Sequence, residues 1–305
     1  MTLEPRRATI AGVIVARNEA ELLDECLTRI EPLVDEVVVM DLESTDGTPE
    51  LAARRGATVL RHAPVPHAEL VLGTAIASAR SDWVLAIAPD EWFGRDLIRE
   101  LRRIADEDAC DVVYVPFVNS VFGRELHAPG AAEFSHPRLF RKGALDWPST
   151  IHTEPDVRGL RCHTVPRPAD GSGSGVVAHV SWRTAHQAME KFSRYVRHEA
   201  ERRHAQGARF GVGRLVYRMS REFGGRYVVG RCYEDGLPGF FFSAMWGAYE
   251  LGVQIELWQL EGSPARQDRL VRWAGRVLGE PVRWVFPLWV RRKRRAGVDG
   301  SQAGG

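Results

Sequence analysis

The sequence predicts an α/β fold, a mainly parallel sheet flanked by helices, with a helical extension at the C-terminal side. Three observations carry this. Short apolar runs that end in polar residues alternate with stretches of helical spacing through the first hundred residues, the pattern of strand–helix–strand units. Right-handed crossovers make such strands parallel and bring their polar ends to one edge of the sheet. Beyond Thr184 the chain changes to Arg-rich segments with apolar residues at helix-like intervals.

The elements follow in order. Residues 9–18 read as an apolar strand ending in Arg17-Asn18, and Glu19 to Leu33 carries Leu22, Leu23, Cys26, Leu27 and Ile30 at helical spacing. Val37 to Met40 is the second strand. It runs into Asp41-Leu42-Glu43-Ser44-Thr45-Asp46-Gly47-Thr48, a turn of small polar residues that leads to a helix beginning near Pro49. A buried strand that ends in an acid, followed by such a turn, builds a polar pocket at the carboxyl edge of the sheet. Asp41 there can accept hydrogen bonds from a uracil ring or a ribose; the bland alternative is a capped turn. Gly56 stops the helix of residues 49–55, and Thr58 to Arg61 forms the third strand. Residues 70–79 read as helix and Trp83 to Ile87 as the fourth strand, which ends in Ala88-Pro89-Asp90-Glu91 before a helix near Phe93 to Ala105. Two adjacent acids at the end of a buried strand require solvent, a divalent metal or a cationic neighbour. Pro166 to Gly175 reads as a loop, Val176 to Val180 as a further strand, and Ala185 to His204 as a helix with Met189, Phe192, Tyr195 and Val196 on one side.

The chain has 305 residues and a formal net charge of +1, which argues against a nucleic-acid partner. Arg266 to Arg295 is the exception: it sets Trp273, Trp284, Phe286 and Trp289 among arginines and suits the surface of an anionic membrane, or else a packed helix with a basic tail. No apolar run reaches the roughly 20 residues of a membrane span, and no secretory signal opens the sequence. A cytoplasmic location follows as the expectation, with peripheral contact at the inner membrane face. The four cysteines are far apart and read as free thiols. The expected organisation is a catalytic domain over residues 1–183, a helical acceptor-side or membrane-associating extension over 184–295, and a disordered tail over 296–305.

The order of Val15-Ala16-Arg17-Asn18-Glu19, the Asp41 to Thr48 segment, Gly56-Ala57-Thr58-Val59 and Asp82-Trp83-Val84-Leu85 leading to Asp90-Glu91 resembles the inverting family-two glycosyltransferases of the GT-A fold. Arg138-Leu139-Phe140-Arg141, His152-Thr153-Glu154, Lys191-Phe192-Ser193-Arg194-Tyr195 and Tyr233-Glu234-Asp235-Gly236 extend the likeness to the bacterial branch with lipopolysaccharide-core glucosyltransferases. The resemblance implies a mixed, mainly parallel GT-A sheet. It also implies a nucleotide-sugar donor, commonly a UDP-sugar, and a carbohydrate or lipid-linked acceptor. Carried over by position, Ala16, Arg17, Asn18 and Glu19 line the nucleotide pocket, Asp41 reads the base, and Ser44 and Asp46 support the loop. Asp90 and Glu91 belong to the site of a divalent metal, Mg or Mn. Glu154 or His152 would act as base or extra ligand, with Asp235 a further candidate base.

Two departures stand out. Ala88 occupies the place of the first acid in the family's Asp-x-Asp-Glu pattern, and Leu72-Gly73 replaces a basic residue and an asparagine that meet the nucleotide. Three readings therefore stay open: an active enzyme with an altered donor pocket, a slow or metal-independent one, and a nucleotide-binding or scaffold protein that keeps the fold. A peptide or small natural product as acceptor is also open.

Overall fold

The computed structural model describes residues 7–276, apart from 133, 150–152, 169–172, 266, 267, 270 and 274. The strands are β1 (Ile10–Ala16), β2 (Glu36–Asp41), β3 (Thr58–Arg61), β4 (Trp83–Ile87), β5 (Glu91–Phe93), β6 (Val112–Val121), β7 (Arg124–Glu125), β8 (Phe134–Arg141), β9 (Cys162–Thr164) and β10 (Val177–Trp182). The α-helices are α1 (Ala20–Ile30), α2 (Thr48–Arg54), α3 (Glu69–Ser78), α4 (Arg95–Glu107), α5 (Pro129–Ala132), α6 (Ala185–Ala205), α7 (Val212–Gly224) and α8 (Leu237–Leu260). They form one mixed sheet of order β3-β2-β1-β4-β8-β6-β10-β5, with β7 and β9 also on β6. The α/β class and the flanked sheet agree with the sequence reading, and the elements through α4 fall where the periodicity puts them except β5, whose residues that reading gives to a loop and to the start of the next helix.

β1 and β4 are buried along their whole length because helices cover both faces. Ile10, Ile14 and Ala16 of β1 pack with Leu23, Cys26, Leu27 and Ile30 of α1 and with Leu97 and Leu101 of α4. The alternate residues Ala11, Val13 and Val15 pack with Val71, Ala75 and Ile76 of α3. The period of two along a strand thus divides one segment between two cores.

The second half of the sheet differs from the sequence reading, which assigns no strand to 112–121 or 134–141. β8 enters antiparallel between β4 and β6. A proline inside a run argues against a central strand, and Pro116 lies in β6. It falls in the gap on one edge of β6 between Val112–Tyr114, which pair with β9, and Phe117–Val121, which pair with β10.

Only Ala88, Pro89 and Asp90 join β4 to β5, although β8, β6 and β10 stand between these two strands in the sheet. Four interstrand spacings span about 19 Å in a flat sheet, whereas the four Cα steps from Ile87 to Glu91 reach at most about 15 Å. The sheet therefore curls, and residues of β8, β6 and β10 gather around the short link.

The helices after β10 pack on this curled end. Trp182 of β10 lies 5.3 Å from the Phe192 ring of α6 and 5.6 Å from Phe242 of α8. Among the described residues no helix is long and apolar enough to cross a membrane. Glu250 of α8 is only 3% exposed and receives both terminal nitrogens of Arg203 from α6, at 2.9 and 2.7 Å. Arg203→Ala should leave that carboxylate buried without its partner and cost about 3–5 kcal/mol in urea unfolding, while Arg203→Met with Glu250→Leu should recover most of the loss. A single-variant cost below about 1 kcal/mol would show that water reaches Glu250.

Candidate functional site

The ends of β1 and β2 lie side by side, with Ala16 opposite Asp41. The loops that follow are tied together by their own side chains. Asn18 N–H donates to Ser44 Oγ at 2.9 Å, Thr45 N–H to Asn18 Oδ1 at 2.7 Å, and Glu19 N–H to Thr48 Oγ1 at 3.1 Å. Asp46 takes Ala20 N–H on one oxygen and Thr48 N–H on the other, both at 3.0 Å. Burial works to raise the Asp46 carboxyl, but the Thr48 hydroxyl and these amides outweigh it and hold it below its ordinary value. Asn18 and Glu43 both have left-handed backbone, with φ of 54° and 53°. The side-chain bonds of Asn18 and Ser44 offset part of that cost.

Asp41 is 1% exposed, and its carboxylate meets Ser44 N–H only at 3.3–3.4 Å. An ionised carboxylate offers about four lone-pair sites, so Asp41 keeps capacity for donors on a ligand. Ala16 is buried beside it, and Arg17 is exposed at the rim. The structure thus brings Ala16 to Glu19, Asp41, Ser44 and Asp46 into one loop pair.

Asp90 and Glu91 are both buried at the β4–β5 link. Glu91 accepts from Arg138 Nε at 2.9 Å and its terminal nitrogen at 2.6 Å, and from Ala88 N–H at 3.2 Å. Asp90 Oδ2 accepts from Lys191 Nζ at 2.8 Å and lies 3.5 Å from His179 Nε2. Burial works to raise the Asp90 carboxyl, and the charges of Lys191 and His179 overcome it and hold the group well below the carboxylate range. Lys191 in turn is lowered by burial and raised more strongly by Asp90, with Tyr195 and Glu19 adding to the rise. Beneath the link, burial and then the negative charges of Glu91, Asp90 and Glu19 push the Cys26 thiol up. His179 is oriented from behind. Asn119 Nδ2 donates to Ala131 O at 2.6 Å, which turns Asn119 Oδ1 toward the His179 Nδ1 at 3.0 Å and the Ser181 hydroxyl at 2.8 Å. An amide oxygen only accepts, so Nδ1 carries a proton.

This donor set does not fit the divalent cation expected at Asp90 and Glu91. Glu91 is committed to a bidentate arginine, Ala88 supplies a methyl group, and an ammonium already stands on Asp90. Among the described residues no group of three or more His, Cys, Asp or Glu is placed to hold a metal.

Glu154 and Asp235, the two candidate bases among the described residues, have different neighbours. Glu154 is exposed and pairs with His136 Nδ1 at 3.3 Å. His136 stands two residues from Arg138 on β8, where burial and then the Arg138 charge lower it below its ordinary value. Glu154 therefore adjoins the acid pair through His136 and Arg138. Asp235 takes His127 N–H and Ala128 N–H at 2.9 and 3.0 Å, one on each oxygen. It borders a cavity of about 420 Å³ with Arg124, Glu125, His127, Glu234 and Pro238. His152 lies outside the described residues.

Lys191, Arg138 and His179 have no assigned role in the sequence reading. Lys191, Tyr195 and His198 recur at helical spacing on α6, and the His198 ring lies 5.2 Å from His67, after β3. That spacing was the available signal, since residues four and three apart share a helix face.

Residues 13–162 match the family profile described as glycosyl transferase family 2. A glycosyltransferase of Rickettsia typhi, itself called uncharacterized, is 25% identical over 241 residues, which cover 76% of this chain and 80% of that protein. A TPR repeat-containing protein of Synechococcus elongatus is 35% identical over 107 residues, which cover 35% of this chain and 27% of that protein. Among solved structures, glucosyl-3-phosphoglycerate synthase of Mycobacterium tuberculosis, in complex with Mn²⁺, UDP and glucosyl-3-phosphoglycerate, is 25% identical with a TM-score of 0.31. The match covers 37% of this chain and 44% of that one.

Asp90→Asn should destabilise the chain by about 3 kcal/mol at neutral pH, because Lys191 and His179 lose their shared anion. The depressed folded pKa fixes the sign: the carboxylate's contribution is complete above about pH 5 and declines as pH falls below its unfolded value of about 4. Urea unfolding of both proteins from pH 7 to pH 3 should show their stability difference shrinking in acid. A difference independent of pH would refute the pairing.

Proposed function

We propose, from the match of residues 13–162 to the glycosyl transferase family 2 profile, that this chain moves a sugar from a nucleotide-sugar donor to an acceptor hydroxyl with inversion. The observation that carries this reading is the buried Asp41, held between the two joined loops with acceptor capacity left over. A uracil N–H or ribose hydroxyls suit such a carboxylate, so a UDP-sugar is the donor we assign. The acceptor we assign is a carbohydrate or lipid-linked glycan, and Glu154 is the general base.

In the reaction the acceptor hydroxyl passes its proton to the Glu154 carboxylate as its oxygen bonds to the anomeric carbon. The bond from that carbon to the diphosphate oxygen breaks on the opposite face, and its electron pair leaves with the nucleoside diphosphate. Glu154 has an oxygen open to solvent for this task, whereas both oxygens of Asp235 hold backbone amides. We place the protein in the cytoplasm, with the stretch 266–295 as its contact with an anionic membrane; most of that stretch lies outside the described residues. A second reading, a nucleotide-binding relative without turnover, draws on Ala88 and the engaged acids.

Asp41→Ala should weaken nucleoside diphosphate binding about 10- to 100-fold in calorimetric titration, the loss of hydrogen bonds to a charged group. Affinity equal to that of the unmodified chain would displace Asp41 from the donor pocket. Glu154→Gln should keep donor affinity and lower the rate of sugar transfer by about 10²- to 10⁴-fold. Unaltered transfer would remove Glu154 as base, and donor binding without any transfer in the parent chain would favour the second reading.

A further inference from the structure

Resting on the nucleotide-sugar reading above, we infer that the Lys191 ammonium binds the donor's diphosphate in the place where a divalent cation was expected, so that donor binding by this chain needs no metal. Four observations support it. The first is the donor set: Ala88 brings no oxygen, and both oxygens of Glu91 are taken by Arg138 and the Ala88 amide. Asp90 alone remains, and one carboxylate already bonded to an ammonium is a poor anchor for a dication.

The second is the position of Lys191. It reaches Asp90 from α6, and its ammonium also feels Glu19 of the donor loop. β4, which leads to Asp90, runs parallel beside β1, and β1 runs parallel beside β2, so the amine on Asp90 stands at the sheet edge where the loops after β1 and β2 also lie.

The third is its remaining capacity. An ammonium has three N–H donors, and Asp90 takes one at 2.8 Å. The Lys191 side chain is 28% exposed while that of Asp90 is 10% exposed, so the lysine is the member of the pair that faces the open side. Lysine binds phosphate as a point charge, and Asp90 fixes where that charge stands.

The fourth is the charge around it. His179, with Nδ1 protonated on Asn119, lies on the same carboxylate oxygen of Asp90 that Lys191 uses. Asp90 therefore has two basic neighbours, and a diphosphate arriving at Lys191 meets a carboxylate whose charge is already offset. As the leaving diphosphate gains charge, a preorganised ammonium stabilises it without reorganisation.

The deciding experiment titrates the full chain with UDP, and separately with GDP and ADP, by calorimetry in EDTA and again with Mn²⁺. The inference expects one of these nucleotides to bind with dissociation constants within about threefold of each other in the two buffers. Lys191→Met should weaken that binding at least about tenfold in both. Ala88→Asp combined with Lys191→Met should regain binding only when Mn²⁺ is present. Binding by the unmodified chain that requires Mn²⁺ would overturn the role of Lys191 and leave the nucleotide-sugar reading intact. Binding of no nucleoside diphosphate in either buffer would overturn that reading and the inference with it. The comparison in the unmodified chain holds even if the Lys191 variants fail to fold.

Discussion

Two buried carboxylates at the link between β4 and β5 constrain the rest of this molecule. Taking an ion out of water costs several kcal/mol even after the protein relaxes, and a partner at good geometry must offset it. Asp90 and Glu91 find theirs far away in sequence: Arg138 on β8, His179 on β10 and Lys191 on α6. The link is too short to cross a flat sheet, so the sheet curls, and the curl delivers those cations to the acids. Charge pairing and topology thus support one arrangement. A flat sheet would keep His179 beside β5 but would set Arg138 of β8 three strands away from Glu91, and that acid without its arginine would not remain buried.

The loops after β1 and β2 depend on different forces. They contain few apolar residues and three residues with left-handed backbone, Asn18, Glu43 and Gly47, so packing alone does not hold them. Short side chains do: Asn18, Ser44, Asp46 and Thr48 each bond across to the other loop or to its helix. These bonds use the backbone amides at the start of α1 that would otherwise need capping, and they leave Asp41 as the group with spare acceptor capacity.

Much of this was legible in the sequence, and what was not has a physical cause. Apart from the three-residue β5, the β1-to-α4 run could be read because each element has its own period, 2 or 3.6, and its own stop signals. The polar ends of β1 and β2 could be joined because parallel strands end on one edge. The order of strands β8, β6 and β10 is not written in any period, since antiparallel insertion depends on contacts between distant segments. The same limit hid the cations. Asp90-Glu91 announces that a positive charge is needed, but a lysine in an Arg-rich helix and a histidine at the end of an apolar run look alike whether they face water or an acid. Of the partners that the sequence reading allowed for these acids, solvent, a divalent metal or a cationic neighbour, the fold supplies cationic neighbours in Lys191, Arg138 and His179. Ala88 was the visible sign of the difference.

The position of Lys191 also bears on where the functional unit ends. The family profile stops at residue 162, and the expected catalytic domain stops at 183. Both limits exclude Lys191, and the first excludes His179 as well. Yet α6 has two working faces: Ala188, Phe192 and Ala200 pack into the helical layer, while Lys191 meets Asp90 and His198 meets His67. The helix cannot shift without moving the ammonium that stands on Asp90. The helical part is thereby coupled to the edge of the sheet where β1, β2 and β4 end. A chain cut at residue 183 would keep the acids and lose a principal cation, so the unit that holds the site together must include α6 and the aromatic layer that fixes it.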